Sequence, residues 1–241
     1  MAGKVLTSDE PGSKKKIIST GNTEIDKKLG GGIPVGSLTL IEGQSDAGKS
    51  VLGQQMIWGS LHEQHKVVIY TTENTVRSLA TQMDSLGQGI LDQIILGWLK
   101  VYHLQPSKSD LTSCFETLID SMECLEDYSM FVVDSLTAVI AYTQQEDVLH
   151  YFERCKILCD SGKTIINVAH SFAFNDEILI RIRSMCDAHL KLGIEEIGDK
   201  LIKFVEVAKV RGANKPTGNV LSFDVEPGIG MKILPLSKAK I

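Results

Sequence analysis

Short, mostly apolar runs alternate with longer stretches in which apolar residues return every three or four positions. The runs are Leu38-Thr39-Leu40-Ile41, Val67-Val68-Ile69-Tyr70-Thr71-Thr72, a weaker one over 96–102, Met130-Phe131-Val132-Val133-Asp134, and 164–168. Runs of this length predict buried strands of a parallel sheet. Between them, 21–29 reads as a short helix stopped by Gly30-Gly31-Gly32-Ile33-Pro34, and 51–58 and 76–85 read as further helices. Leu111, Cys114, Phe115, Leu118, Ile119, Met122 and Leu125 recur at helical spacing, as do Val148, Phe152, Cys155 and Cys159. After about Ala188 the rhythm changes. Strands near 189–194, 201–210, 220–225 and 231–234 follow across short turns containing Gly198-Asp199 and Pro227-Gly228. The expectation is an α/β fold, a mostly parallel sheet flanked by helices and extended by C-terminal antiparallel strands. Residues 1–16 mix Gly, Pro and Ser with a Lys14-Lys15-Lys16 run and predict a mobile tail, which leaves 17–241 as a single domain.

Composition narrows the class. A chain of 241 residues, 43% hydrophobic and 23% charged, can bury a sizeable core as a soluble globular protein. A net charge of −5 and a pI near 5.7 give no overall basic field for nucleic acid. The five cysteines are odd in number and lack C-x-x-C spacing, which predicts reduced thiols in a cytoplasmic protein rather than a disulfide framework or zinc site. Cys155 and Cys159 share an apolar helical face and read as core. No apolar stretch reaches membrane-spanning length, and the N-terminus lacks the apolar region of a signal peptide.

The chemistry concentrates after the first long run. Gly43-Gln44-Ser45-Asp46-Ala47-Gly48-Lys49-Ser50 fits G-x-x-x-x-G-K-[ST] at every fixed position, between a strand and the helix that starts near Val51. That order is what phosphate binding needs. A strand delivers the chain to a Gly-rich turn whose N–H groups and helix N-terminus point at the anion. Lys49 reaches the outer phosphates and the Ser50 hydroxyl suits Mg²⁺. Asp134, at the carboxyl end of a buried strand, is the candidate second Mg²⁺-associated group. Glu73 ends the second strand on the ligand side of such a sheet, where a carboxylate can orient and activate water. His170 and Ser171 end a later strand, where a polar side chain can sense the terminal phosphate. Lys209 and Arg211 share one face of a late strand by period-two spacing, as residues of a solvated strand edge commonly do.

Taken in order, Gly21-Asn22, Gly30-Gly31-Gly32-Ile33-Pro34, the P-loop, Thr72-Glu73-Asn74, Val132-Val133-Asp134-Ser135 and Lys209-Val210-Arg211-Gly212 resemble the KaiC-like branch of the RecA superfamily. Within that branch the single-domain length and Tyr70-Thr71-Thr72-Glu73-Asn74-Thr75 look like the ATP-binding proteins of the archaellum, the archaeal flagellum motor. The resemblance covers about 17–234. It implies a RecA-like P-loop core that binds ATP and Mg²⁺, with Glu73 as catalytic glutamate and Asp134 as Mg²⁺-associated acid. It implies that Lys209 and Arg211 reach nucleotide on a neighbouring subunit of a hexameric ring. The implied partners are a secretion-type hexameric motor ATPase and a membrane-embedded motor platform, and the implied location is cytoplasmic, peripheral to the membrane at the archaellum base. Many KaiC-like chains carry two adjacent acids where Thr72 precedes Glu73 here, which implies slow hydrolysis at most. Two rival readings accompany it. One is a DNA recombination or repair ATPase of the same superfamily, opposed by the acidic pI and the lack of an additional DNA-binding domain. The other is a small-molecule kinase, for which no acceptor pocket or Arg-rich lid is evident.

Overall fold

The computed structural model describes residues 17–105, 111–141, 143–198, 200–211 and 219–234. The tail expected over 1–16 lies outside the described residues. Among them, one sheet carries nine strands in the order β11-β10-β9-β8-β3-β7-β6-β4-β5. These are β3 (Leu38–Gly43), β4 (Val67–Thr71), β5 (Leu99–His103), β6 (Met130–Asp134), β7 (Thr164–His170), β8 (Ala188–Ile197), β9 (Lys200–Val210), β10 (Asn219–Glu226) and β11 (Gly230–Ile233). A two-residue pair, β1 (Ile17–Ile18) with β2 (Ile33–Pro34), stands apart from it.

Strands β3, β4, β6 and β7 are buried almost throughout, because helices cover both faces, and their sequences are accordingly mostly apolar. β8 lies parallel to β3, then β9, β10 and β11 run antiparallel to one another. One face packs α2 (Lys49–His62) and α3 (Val76–Ser85) with α1 (Thr23–Leu29) and β10–β11. The other packs α5 (Leu111–Cys124), α7 (Gln145–Asp160) and α8 (Asp176–Met185). The short helices α4 (Leu91–Ile95) and α6 (Thr137–Ile140) complete the set.

α2 is buried on nearly every side, so its sequence carries almost no amphipathic stripe. Gly59 lets the N-terminal segment close on it. A Cβ there would stand 2.4 Å from Gly21 N. From the other side the sheet curls round until the Gly228 N–H bonds the Ser85 carbonyl at the end of α3 (2.8 Å). Three elements depart from the sequence expectation. The run over 96–102 pairs only from Leu99, because Gly97, at φ 73°, ends α4 first. α6 is a single turn after Ser135. α8 occupies a region to which the sequence pattern assigned no element, and Asn175 caps it by accepting from Ile178 N at 2.8 Å. Phe174 packs into the core while Phe172 stays exposed.

Candidate nucleotide site

β3 ends at Gly43, where a Cβ would lie 2.1 Å from the Leu192 carbonyl oxygen of β8, so only glycine fits. The loop then turns through Asp46 (φ 58°) and Gly48 (φ 89°) into the N-terminus of α2. The Gln44 side chain pins it to the sheet, accepting from Ile194 N at 3.1 Å. The α2 N-terminus, Lys49 and the ends of β4, β6 and β7 open on one cavity of about 460 Å³. Ser45, Asp46, Gly48, Lys49, Ser50, Val51, Glu73, Asp134 and His170 all line it, while Gly43, Gln44 and Ala47 belong to the turn.

The geometry inside is specific. Lys49 is 6% exposed, donates to the Gln44 carbonyl, and holds its Nζ 3.3 Å from His170 Nδ1. Ser50 Oγ donates to Asp134 Oδ1 at 3.1 Å. Thr71 Oγ1 accepts from the Glu73 and Asn74 N–H groups at 3.2 and 3.1 Å, which fixes the turn that carries Glu73. Thr72 Oγ1 accepts from Ser135 N at 3.3 Å and ties that turn to the end of β6.

Burial dominates the electrostatics. It lowers the Lys49 pKa, against the carboxylates of Asp134, Glu73 and Asp46. It also pushes the Asp134 carboxyl up to about 7, helped by the charge of Glu73 and opposed by Ser50 and Lys49. His170 is lowered by burial and by Lys49, which favours the neutral ring beside the lysine. Asp134 and Glu73 therefore repel one another across the cavity, and Lys49 does not fully offset this. A hydroxyl and a carboxylate 3.1 Å apart supply hard oxygen donors, and they fit Mg²⁺. Among the described residues no cluster of three or more His, Cys, Asp or Glu could hold a metal.

Lys209 and Arg211 are not part of this cavity. Lys209 pairs with His189 in the sheet, three residues below the level of Gly43 and so roughly 10 Å along the strands. Its ammonium donates to the carbonyls of Arg183 (3.1 Å), Ser184 (3.2 Å) and Cys186 (2.7 Å) at the end of α8. Arg211, one residue past β9, donates to the Ser184 carbonyl at 2.8 Å and meets Asp187 at 3.5 Å. Both cations thus cap one helix C-terminus in their own chain, where the helix dipole favours positive charge.

Sequence reasoning missed Gln82, Lys203 and Val225, which line the cavity from α3, β9 and β10. Nothing in their local pattern marks them, since the curl of the sheet is what brings them together. It also missed Glu42, fully buried on β3, which accepts from Arg183 and from His189 Nε2 (2.7 Å). An acid inside an otherwise apolar run just before the P-loop was the available signal.

The geometry agrees with comparisons to known proteins. The family described as "ATPase: KaiC" matches residues 18–238. The archaeal flagellar ATP-binding protein FlaH of Sulfolobus acidocaldarius is 32% identical, over 93% of this chain and 99% of that protein. FlaH of Methanocaldococcus jannaschii is 29% identical, over 90% of this chain and 94% of that protein. The crystal structure of the flagellar accessory protein FlaH from Methanocaldococcus jannaschii superimposes with a TM-score of 0.77 at 26% identity, covering 88% of this chain and 95% of that one. Central parallel strands, flanking helices and the antiparallel extension are those of RecA- and KaiC-like ATPases. The chain belongs to the KaiC-type ATPase family and, within it, to the FlaH group.

Proposed function

We propose that this protein binds ATP with Mg²⁺ as a component of the archaeal flagellum motor and uses the bound nucleotide chiefly as an assembly or switching signal. The observation that carries the reading is Ser50 and Asp134 at 3.1 Å beside Lys49, at the N-terminus of α2 and inside one cavity. The α2 N–H groups and Lys49 bind the phosphates. Ser50 and Asp134 would hold Mg²⁺, which would supply charge shielding for the phosphates. Glu73 faces the same space and orients a water. His170, neutral and beside Lys49, takes up the terminal phosphate once the lysine turns towards it. The single acid at the end of β4 makes hydrolysis slow. The names of the FlaH relatives support the flagellar setting, and none of those cited points to recombination or repair.

In this reading the chain forms a hexameric ring on the cytoplasmic side of the membrane, against the secretion-type motor ATPase and the membrane-embedded platform. No helix among the described residues is long and apolar enough to cross a membrane, and in this reading those partners provide the attachment. Melting temperature against ATP–Mg²⁺ concentration tests the core claim. Ligand at a hundred times Kd adds about 2.7 kcal/mol, or roughly 5–10 °C for a chain of this size. Lys49→Ala should lose most of that rise. An unchanged rise in the variant would remove Lys49, and the phosphate site with it, from the proposal.

A further inference from the structure

The cavity has two ends. Lys49, Ser50, Asp134 and His170 mark the phosphate end. Apart from the loop residues, and from Glu73 and Ser135 just past β4 and β6, the lining is completed by Val51, Gln82, Lys203 and Val225, and the nucleoside of a nucleotide seated there runs along these four. Of these four, Gln82 is the group with both a donor and an acceptor, and its orientation is constrained. Gln54, on α2, is 1% exposed and donates through Nε2 to Gln82 Oε1 at 3.0 Å. Water does not reach Gln54, and its own Oε1 has no partner among the described residues.

These facts fix which atom Gln82 can offer. A glutamine amide has one oxygen and one NH₂. With the oxygen taken by Gln54, Gln82 presents its NH₂ to the cavity as a donor. Turning both amides over would satisfy the Gln54 oxygen but strand its NH₂ in the core. Buried orphan N–H groups are rarer than orphan carbonyls, so the donor-outward sense is favoured.

We propose that Gln82, oriented by Gln54, determines base specificity by donating to a purine ring nitrogen; the inference rests on the nucleotide reading above. With phosphates in the loop and the sugar between, the base edge that meets the far wall is the one remote from the glycosidic bond. On that edge adenine offers N1 as an acceptor, whereas hypoxanthine and guanine carry N1–H. A fixed donor accepts the first and clashes with the second. An unpaired polar contact of this kind discriminates by about tenfold or more. Gln54 does not line the cavity and acts as a positioning residue.

Calorimetric titration with ATP and with ITP, at equal Mg²⁺, tests the assignment on the full chain. The wild type should bind ATP about tenfold more tightly than ITP. Gln82→Glu keeps the size but presents an acceptor, so the preference should invert. Gln54→Met frees the amide, so the ATP to ITP ratio should fall towards one although the cavity lining is unchanged. Gln82→Met should do the same, and it serves if the carboxylate variant does not fold. A ratio that stays within twofold of wild type in these variants overturns the proposal while leaving nucleotide binding standing. A wild type that binds neither nucleotide overturns the site reading, and this inference with it.

Discussion

Arg183→Met should destabilise the fold, because it strands a buried charge directly behind the P-loop. Glu42 is fully buried and precedes Gly43. Burial alone would raise its carboxyl. Hydrogen bonds from His189, Ser171 and Arg183, with the guanidinium charge, instead hold it at about 2, against an ordinary value of 4.5. In the unfolded chain Glu42 titrates near its ordinary value, so the folded state prefers the ionised form. The sign follows. The stabilisation is complete above pH 4.5 and is lost as pH falls from there towards 2. At about 1.36 kcal/mol per pH unit the whole interaction is worth roughly 3 kcal/mol. Removing one partner of a buried pair costs about 3–5 kcal/mol. Arg183 is 34% exposed and His189 remains, so about 2–3 kcal/mol is the reasonable loss here. For a chain of this length that lowers Tm by roughly 5–10 °C at pH 7. The assay is thermal unfolding from pH 3 to 8 for wild type, Arg183→Met, Glu42→Gln and the double variant. In the double variant the stranded charge is gone, so its loss should be smaller than the sum of the singles by at least about 1 kcal/mol. Additive losses would mean that the two side chains act independently, and the argument would fail.

Other consequences can be checked alongside. Asp134 must be ionised to hold Mg²⁺, and its carboxyl sits at about 7, so calorimetry should show Mg²⁺-dependent ATP affinity falling as pH drops from 8 to 6. Asp134→Asn should remove that dependence. Glu73→Gln should leave ATP binding intact and abolish residual hydrolysis, measured as phosphate release. Equal slow turnover in both proteins would remove Glu73 as the water-orienting group. Gly59→Ala should cost about 1–3 kcal/mol by overpacking against Gly21, read from denaturant midpoints.

How far the fold was legible follows from which forces act locally. β3, β4, β6 and β7 were readable because a strand covered on both faces is mostly apolar, as Met130 to Val133 and, but for Thr39, Leu38 to Ile41 are. α8 was not, because its buried residues, Ile178, Leu179 and Ile182, make too short a stripe, and the Asn175 cap is convincing only once the helix is known. The P-loop was legible because its chemistry is a fixed local spacing. Asp134 and Glu73 followed because strand ends in a parallel sheet share one rim. Gln82, Lys203 and Val225 reach the same cavity only through the curl that brings Gly228 to Ser85, a contact no local pattern encodes.

Lys209 and Arg211 show why one motif supports two structural meanings. Their spacing says that two cations share a face, but helix-terminal carbonyls and nucleotide phosphates are both acceptors that such a face can serve. Within the chain Lys209 takes three carbonyls of α8, and the proposed ring would present it with a neighbour's phosphate instead. If the phosphate wins, it must offset the loss of the helix cap, so assembly should depend on the γ-phosphate rather than on nucleotide in general. A charge-assisted contact is worth about 1.5–3 kcal/mol, enough to shift assembly tenfold or more. Lys209→Ala with Arg211→Ala should therefore bind ATP as a monomer and fail to assemble, whereas wild type assembles further with ATP than with ADP. Light scattering at matched concentration separates the cases, with Tm recorded to account for the lost cap. If the double variant assembles as wild type does, the two cations serve α8 alone and the ring is held by other contacts.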